Sequence, residues 1–151
     1  MQKALFYKLK RISPFLLILI SGIIDCRVQL ISDYDPSTVE AIIQSFKEID
    51  QFYTDILNTS PEERYFNNYS NSYNAIESNL RVLVLRDSVQ PLNTESTQMA
   101  QNILNLWLKY KNDHKENNSL KDALIILHRD RFFQMFSAML VAENSKPKSN
   151  K

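Results

Sequence analysis

Glycine and cysteine are almost missing: the 151 residues contain one of each. The glycine is Gly22, so nothing beyond it can build a glycine loop around phosphate, a glycine hairpin turn or a nucleophile elbow. The cysteine is Cys26, and without a second one the chain forms no internal disulfide and must hold together by packing. There is one tryptophan, Trp107, and there are two histidines, His114 and His128. Charge of one sign is also lacking. Eighteen Lys/Arg against seventeen Asp/Glu give a net charge of +1, which leaves no basic footprint for nucleic acid. A β-barrel or a doubly wound sheet fits this composition badly, whereas helices joined by Asn, Ser and Pro turns fit it well.

The residues at the start carry the clearest pattern. Lys3, Lys8, Lys10 and Arg11 precede an apolar run from Phe15 to Ile24, and Cys26 follows. The run is about ten residues, while a spanning helix needs about 20. Basic residues before a short apolar segment are the layout of a secretory signal, here residues 1–25. The segment Ser21-Gly22-Ile23-Ile24-Asp25-Cys26 resembles the signal at which bacterial lipoproteins are cleaved and acylated. Asp25 stands where such signals carry Gly, Ala or Ser. Cys26 is the expected lipidation site, and two acyl chains on it would supply stable anchoring to a membrane. An uncleaved N-terminal anchor is the alternative. Removing residues 1–25 takes away four Lys/Arg and one acid, and leaves a domain of net charge −2.

After a tether over residues 26–35, the apolar residues recur at helical spacing. Asp35-Pro36 reads as a cap with proline in the first turn, followed by Val39, Ile42, Phe46, Ile49, Tyr53 and Ile56, ending at Asn58. Ser60-Pro61-Glu62-Glu63 reads as a second start, followed by Tyr65, Tyr69, Tyr73, Ile76, Leu80 and Leu83. Asn93 or Thr94 opens a third helix with Met99, Ile103, Leu106, Trp107 and Tyr110, and 109–118 is expected to contain the next turn. Ser119 opens a fourth with Leu120, Leu124, Leu127, Phe132, Phe136, Met139 and Leu140, where the stripe slips between His128 and Arg131. The expected fold is all-α, an antiparallel four-helix up-down bundle over 36–144, with a polar basic tail at 145–151. A three-helix arrangement with a long bent fourth element is the alternative.

Several residues resemble a group of small, uncharacterised helical lipoproteins of Gram-negative bacteria. They are Leu30-Ile31-Ser32 and Tyr34-Asp35, then Tyr73, Leu80, Leu83, Arg86, Pro91, Asn93 and Gln98. In the last helix they are Phe132, Phe136, Ala138, Leu140, Glu143 and Lys146. The resemblance implies a helical fold in the cell envelope and supplies no substrate, cofactor or catalytic residue. Arg27 after the cysteine is not the Asp that retains lipoproteins at the inner membrane, so the resemblance implies the outer membrane, facing the periplasm.

No catalytic residue, cofactor or metal is indicated. Neither histidine has a glutamate three residues before it, and both are expected at the surface. Tyr69, Tyr73 and Trp107 are candidates for a ligand or partner face, against a core stripe. Arg86 and Glu143 are candidates for an ion pair across the bundle. The expected function is a lipid-anchored, non-enzymatic envelope protein that binds an unknown protein partner or serves a structural role. The alternative is a small-ligand or metal-binding bundle in the periplasm.

Overall fold

The computed structural model describes residues 29–148, so the signal, Cys26 and Arg27 lie outside the described residues. The chain divides into two units, Met1–Leu30 and Ile31–Lys151, and the second carries the fold. It is all-helical: α1 (Pro36–Leu57), α2 (Phe66–Ser88), α3 (Thr94–Asn117) and α4 (Asp122–Asn144), with a 3₁₀ turn at Pro61–Glu63. None of the described helices is long and apolar enough to cross a membrane.

α1 starts as its sequence dictates. Asp35 is extended and accepts the Ser37 N–H at 2.9 Å, while Pro36 occupies the first helical position. α2 starts later than Ser60-Pro61 suggests. Those residues open the 3₁₀ turn, Ser60 makes no side-chain cap, and the helix opens at Phe66. α3 ends at Asn118, whose left-handed backbone (φ 47°) returns its N–H to the His114 carbonyl at 2.8 Å.

Each helix packs on two others, α1 on α2 and α4, and α3 on α2 and α4. Hydrogen bonds at the ends fix the antiparallel order. At one end Ser32 N–H reaches the Leu92 carbonyl (2.9 Å) and Tyr34 N–H the Pro147 carbonyl (2.9 Å). At the other, Arg64 reaches the Leu120 carbonyl (3.1 Å) and Phe66 N–H reaches Asn118 Oδ1 (3.0 Å). We call these the near end and the far end.

The core is one cluster from all four helices, centred on Phe52, Tyr53, Tyr73, Trp107 and Phe132. Burying each such side chain contributes about 1.5–3 kcal/mol, which replaces the missing disulfide. The buried stripe of α4 is Ile125, His128, Phe132, Phe136, Met139 and Glu143, at spacings of three and four. Leu124 and Leu127, expected inside, are exposed, and the expected slip of face does not occur. The stripe passes through a histidine and a glutamate, which apolar periodicity does not count. α4 is a single helix, so the bent-element alternative falls.

Both ends of the fold reach further than expected. Ser32 of the tether and Lys146 of the tail are buried, and each is hydrogen-bonded to Asn93.

Candidate functional site

Tyr73 and Trp107 cannot form an exposed face, because both are fully buried. Phe52 packs against both, with ring centroids 4.6 Å from Tyr73 and 5.1 Å from Trp107, and the two rings meet each other at 5.1 Å. The Trp107 indole N–H donates to the Tyr73 carbonyl at 3.2 Å, so its polar atom is satisfied internally. Tyr69 alone of the three stays near the surface, and its hydroxyl meets Thr59 Oγ1 at 2.9 Å.

The histidines are buried, contrary to the expected surface positions. α3 runs through to Asn117, and this carries His114 inside. Its Nε2 lies 2.9 Å from the Arg64 carbonyl, which can only accept, so Nε2 carries the proton. Nδ1 therefore accepts the Tyr73 O–H at 3.0 Å. Burial holds this imidazole below its ordinary pKa, against the pull of the Arg64 carbonyl. Both nitrogens are thus hydrogen-bonded within the bundle. His128 stacks on Tyr110 with centroids 3.4 Å apart and planes 9° from parallel. Its Nδ1 is buried without a partner, and burial, with Arg131 beside it, pushes its pKa down to about 4. Among the described residues, no group of three His, Cys, Asp or Glu is placed to hold a metal ion.

The polar side chains gather at the near end. Lys146 Nζ meets Glu143 Oε2 at 2.5 Å and Asn93 Oδ1 at 2.6 Å. Glu143 Oε1 accepts the Asp35 backbone N–H at 3.2 Å. The ion pair expected between Arg86 and Glu143 does not form. Arg86 instead donates to Ser37 Oγ and lies 3.9 Å from the Asp35 carboxylate. Glu143 takes Lys146 because Ser145 stays in the right-handed helical region and the Lys146 N–H bonds the Glu143 carbonyl, which sets the two residues three apart on one turn. Asp35 joins the two systems, through its N–H to Glu143 and its carboxylate to Arg86. Asp87 is fully buried in the same region, with neither carboxylate oxygen hydrogen-bonded. Burial pushes its pKa up to about 6, opposed by Lys146 and reinforced by Glu143.

Arg64 is the functional-looking residue that the sequence did not announce. It is buried at the far end and donates to the carbonyls of Thr59 (2.8 Å), Leu57 (3.2 Å) and Leu120 and to Asp122 Oδ1 (2.5 Å). It fastens two connections together rather than facing a cavity.

Two surface features remain. Between α1 and α2 lies a groove of about 690 Å³, with Phe52, Tyr69 and Ile76 as its apolar part and Gln44, Gln51, Asn68 and Asn79 among its polar lining. On α4, Phe133 is 57 % exposed although its ring lies 6.0 Å from Phe46. Ile126, two turns earlier, is also exposed, and Arg129 pairs with Asp50 at 2.7 Å between them. Phe46, Asp50, Ile126, Arg129, Asp130 and Phe133 enclose a shallow groove of about 260 Å³.

No family model matches this chain, no curated protein is similar to it in sequence, and no solved structure matches its fold.

Proposed function

We propose that this protein is a lipid-anchored bundle of the bacterial envelope, in the outer membrane facing the periplasm, that acts by binding a protein partner rather than by catalysis. The address rests on residues 1–26. The binding role rests on one observation, the exposed Phe133 over the Phe46–Ile126 groove. An aromatic side chain half out of a helix, flanked by an apolar neighbour and an Arg–Asp pair, has the make-up of an interface anchor with a polar rim. In the interior, His114 is bonded to the Tyr73 hydroxyl and the Arg64 carbonyl, and His128 stacks on Tyr110.

The test is a photo-crosslinking residue placed at Phe133 in cells, with one at exposed Gln98 as control. A discrete adduct at Phe133, lost when Ile126 is changed to Asp, supports the reading. Equal labelling at both positions contradicts it.

A second reading, a small-ligand bundle, is favoured by the α1–α2 groove alone. Its apolar floor and its rim of amides with Lys47, Glu48 and Asp55 suit a polar ligand with an apolar face. That reading expects Tyr69→Ala to abolish ligand-induced thermal stabilisation without affecting the Phe133 adduct.

A further inference from the structure

The turn between α2 and α3 carries a large apolar residue where its backbone asks for glycine or asparagine. Leu92 has φ 59°, in the left-handed region, which costs a leucine about 1–2 kcal/mol. Burial does not offset this, because Leu92 is 49 % exposed. Val89 in the same turn is 70 % exposed, and Leu85, one helical turn earlier, is exposed as well. The Ser32–Leu92 backbone hydrogen bond brings Ile31, 43 % exposed, to the same place. The near end thus has an apolar tip. The far end is more polar: its exposed apolar side chains are Tyr65 and, in the first turn of α4, Leu124, beside Asn58, Ser60, Pro61, Glu62, Glu63, Asn118, Ser119 and Lys121.

The length of chain before the fold says what covers this tip. Ile31 is five residues on from Cys26, a stretch that fully extended spans at most roughly 18 Å. The helices, of 22 to 24 residues, are roughly 33–36 Å long, so the far end lies a full helix length further away. A lipid on Cys26 would therefore keep the near end within that reach of the membrane. Tyr34 and Lys148, with the ammonium 5.2 Å from the ring centroid, add the amphipathic side chains that suit a headgroup layer.

We propose that Ile31, Val89 and Leu92 form a lipid-contact surface that enters the interfacial layer of the bilayer and sets the bundle upright on its anchor. The inference rests on the lipid-anchor reading of Cys26. It makes the tip a second attachment beside the acyl chains, and the strained leucine is retained for contact rather than for stability.

The test uses the full-length protein, extracted from membranes and reconstituted into phosphatidylethanolamine–phosphatidylglycerol vesicles carrying a photoactivatable lipid. Crosslinked peptides and the intact mass are read from the same sample. Crosslinks confined to the peptides holding Ile31, Val89 and Leu92 are expected, with their loss in a Val89→Ser/Leu92→Asn variant. Asparagine suits the left-handed backbone, so that variant keeps its fold, which circular dichroism verifies. Acylated Cys26 with crosslinks at Phe133 or the far end, or with none, overturns the tip and leaves the anchor standing. Unacylated Cys26 with crosslinks still at the tip overturns the anchor and keeps the contact surface. A tip that labels in vesicles no more than the far end, yet forms a protein adduct in cells, is a protein-docking site, and the proposal falls.

Discussion

Lys146 Nζ lies 2.5 Å from Glu143 Oε2 where both side chains are almost wholly enclosed, at 7 % and 1 % exposure. A pair in such a place is held by balance: each charge is tolerable only while the other is present. Lys146→Met leaves a buried carboxylate with only the Asp35 N–H, and is expected to cost about 3 kcal/mol in urea denaturation. The double variant Lys146→Met/Glu143→Gln should recover most of that loss. If the double variant is as unstable as the sum of the two single changes, the pair is not coupled.

Arg64 is expected to resist its usual replacement. Its planar fork serves four oxygens, and lysine offers one point from which to reach them. Arg64→Lys should lose on the order of 2–3 kcal/mol, with the α1–α2 and α3–α4 connections losing amide-exchange protection first. Unchanged protection there would show that the arginine does not fasten them.

Two buried groups make opposite demands on pH. Asp87 has its pKa raised from 3.8 to about 6 by burial, with Lys146, Glu143, Arg86 and Asp35 as the charges around it. Its contribution to stability is complete below about 4 and is lost as pH rises through 6. His128 has its pKa lowered from 6.5 to about 4 by burial, with Arg131, Asp113, Lys109 and His114 around it. Its contribution is complete above 6.5 and is lost as pH falls toward 4. Each gap is worth on the order of 3 kcal/mol, so the two slopes nearly cancel in the wild type between pH 4 and 6.5. Asp87→Asn should raise stability at pH 7, converge on the wild type near pH 4, and expose the His128 slope. Parallel curves for the two proteins would refute this.

Tyr73→Phe removes the donor to His114 Nδ1 and leaves that nitrogen buried with no partner. The expected loss is about 1–2 kcal/mol by thermal or urea unfolding. The change keeps the ring contacts with Phe52, so no larger loss should appear, and a neutral result would mean that the His114 tautomer is not fixed as described.

The fold was legible because its signals are local. Asp35-Pro36 sets the first helix, and the stripe Tyr73, Ile76, Leu80, Leu83 is buried as its spacing requires. What escaped was polar. His114 looked like a turn residue because its neighbours Asn112, Asp113, Lys115 and Glu116 are hydrophilic, yet they occupy the outer faces of a helix whose inner face it shares with Tyr110. His128 and Glu143 complete the α4 stripe, but a pattern that counts only apolar residues replaces them with Leu124 and Leu127. Arg86 and Glu143 both find charged partners: Glu143 takes Lys146 at the i,i+3 spacing that a helix offers, whereas Arg86 with Asp35 depends on how the tether returns to α2, which spacing does not encode. The exposed Phe133 was invisible for the converse reason, since apolar residues next to a stripe read as part of it.

The central claim is the anchor, and its most direct test is the intact mass of the membrane-extracted protein beside a Cys26→Ala variant. The account predicts loss of residues 1–25 and acyl mass on Cys26, with that acyl mass absent from the variant. An intact Met1 without acyl mass would contradict it, and would mean that Asp25 prevents processing and that the N-terminal segment itself is the anchor.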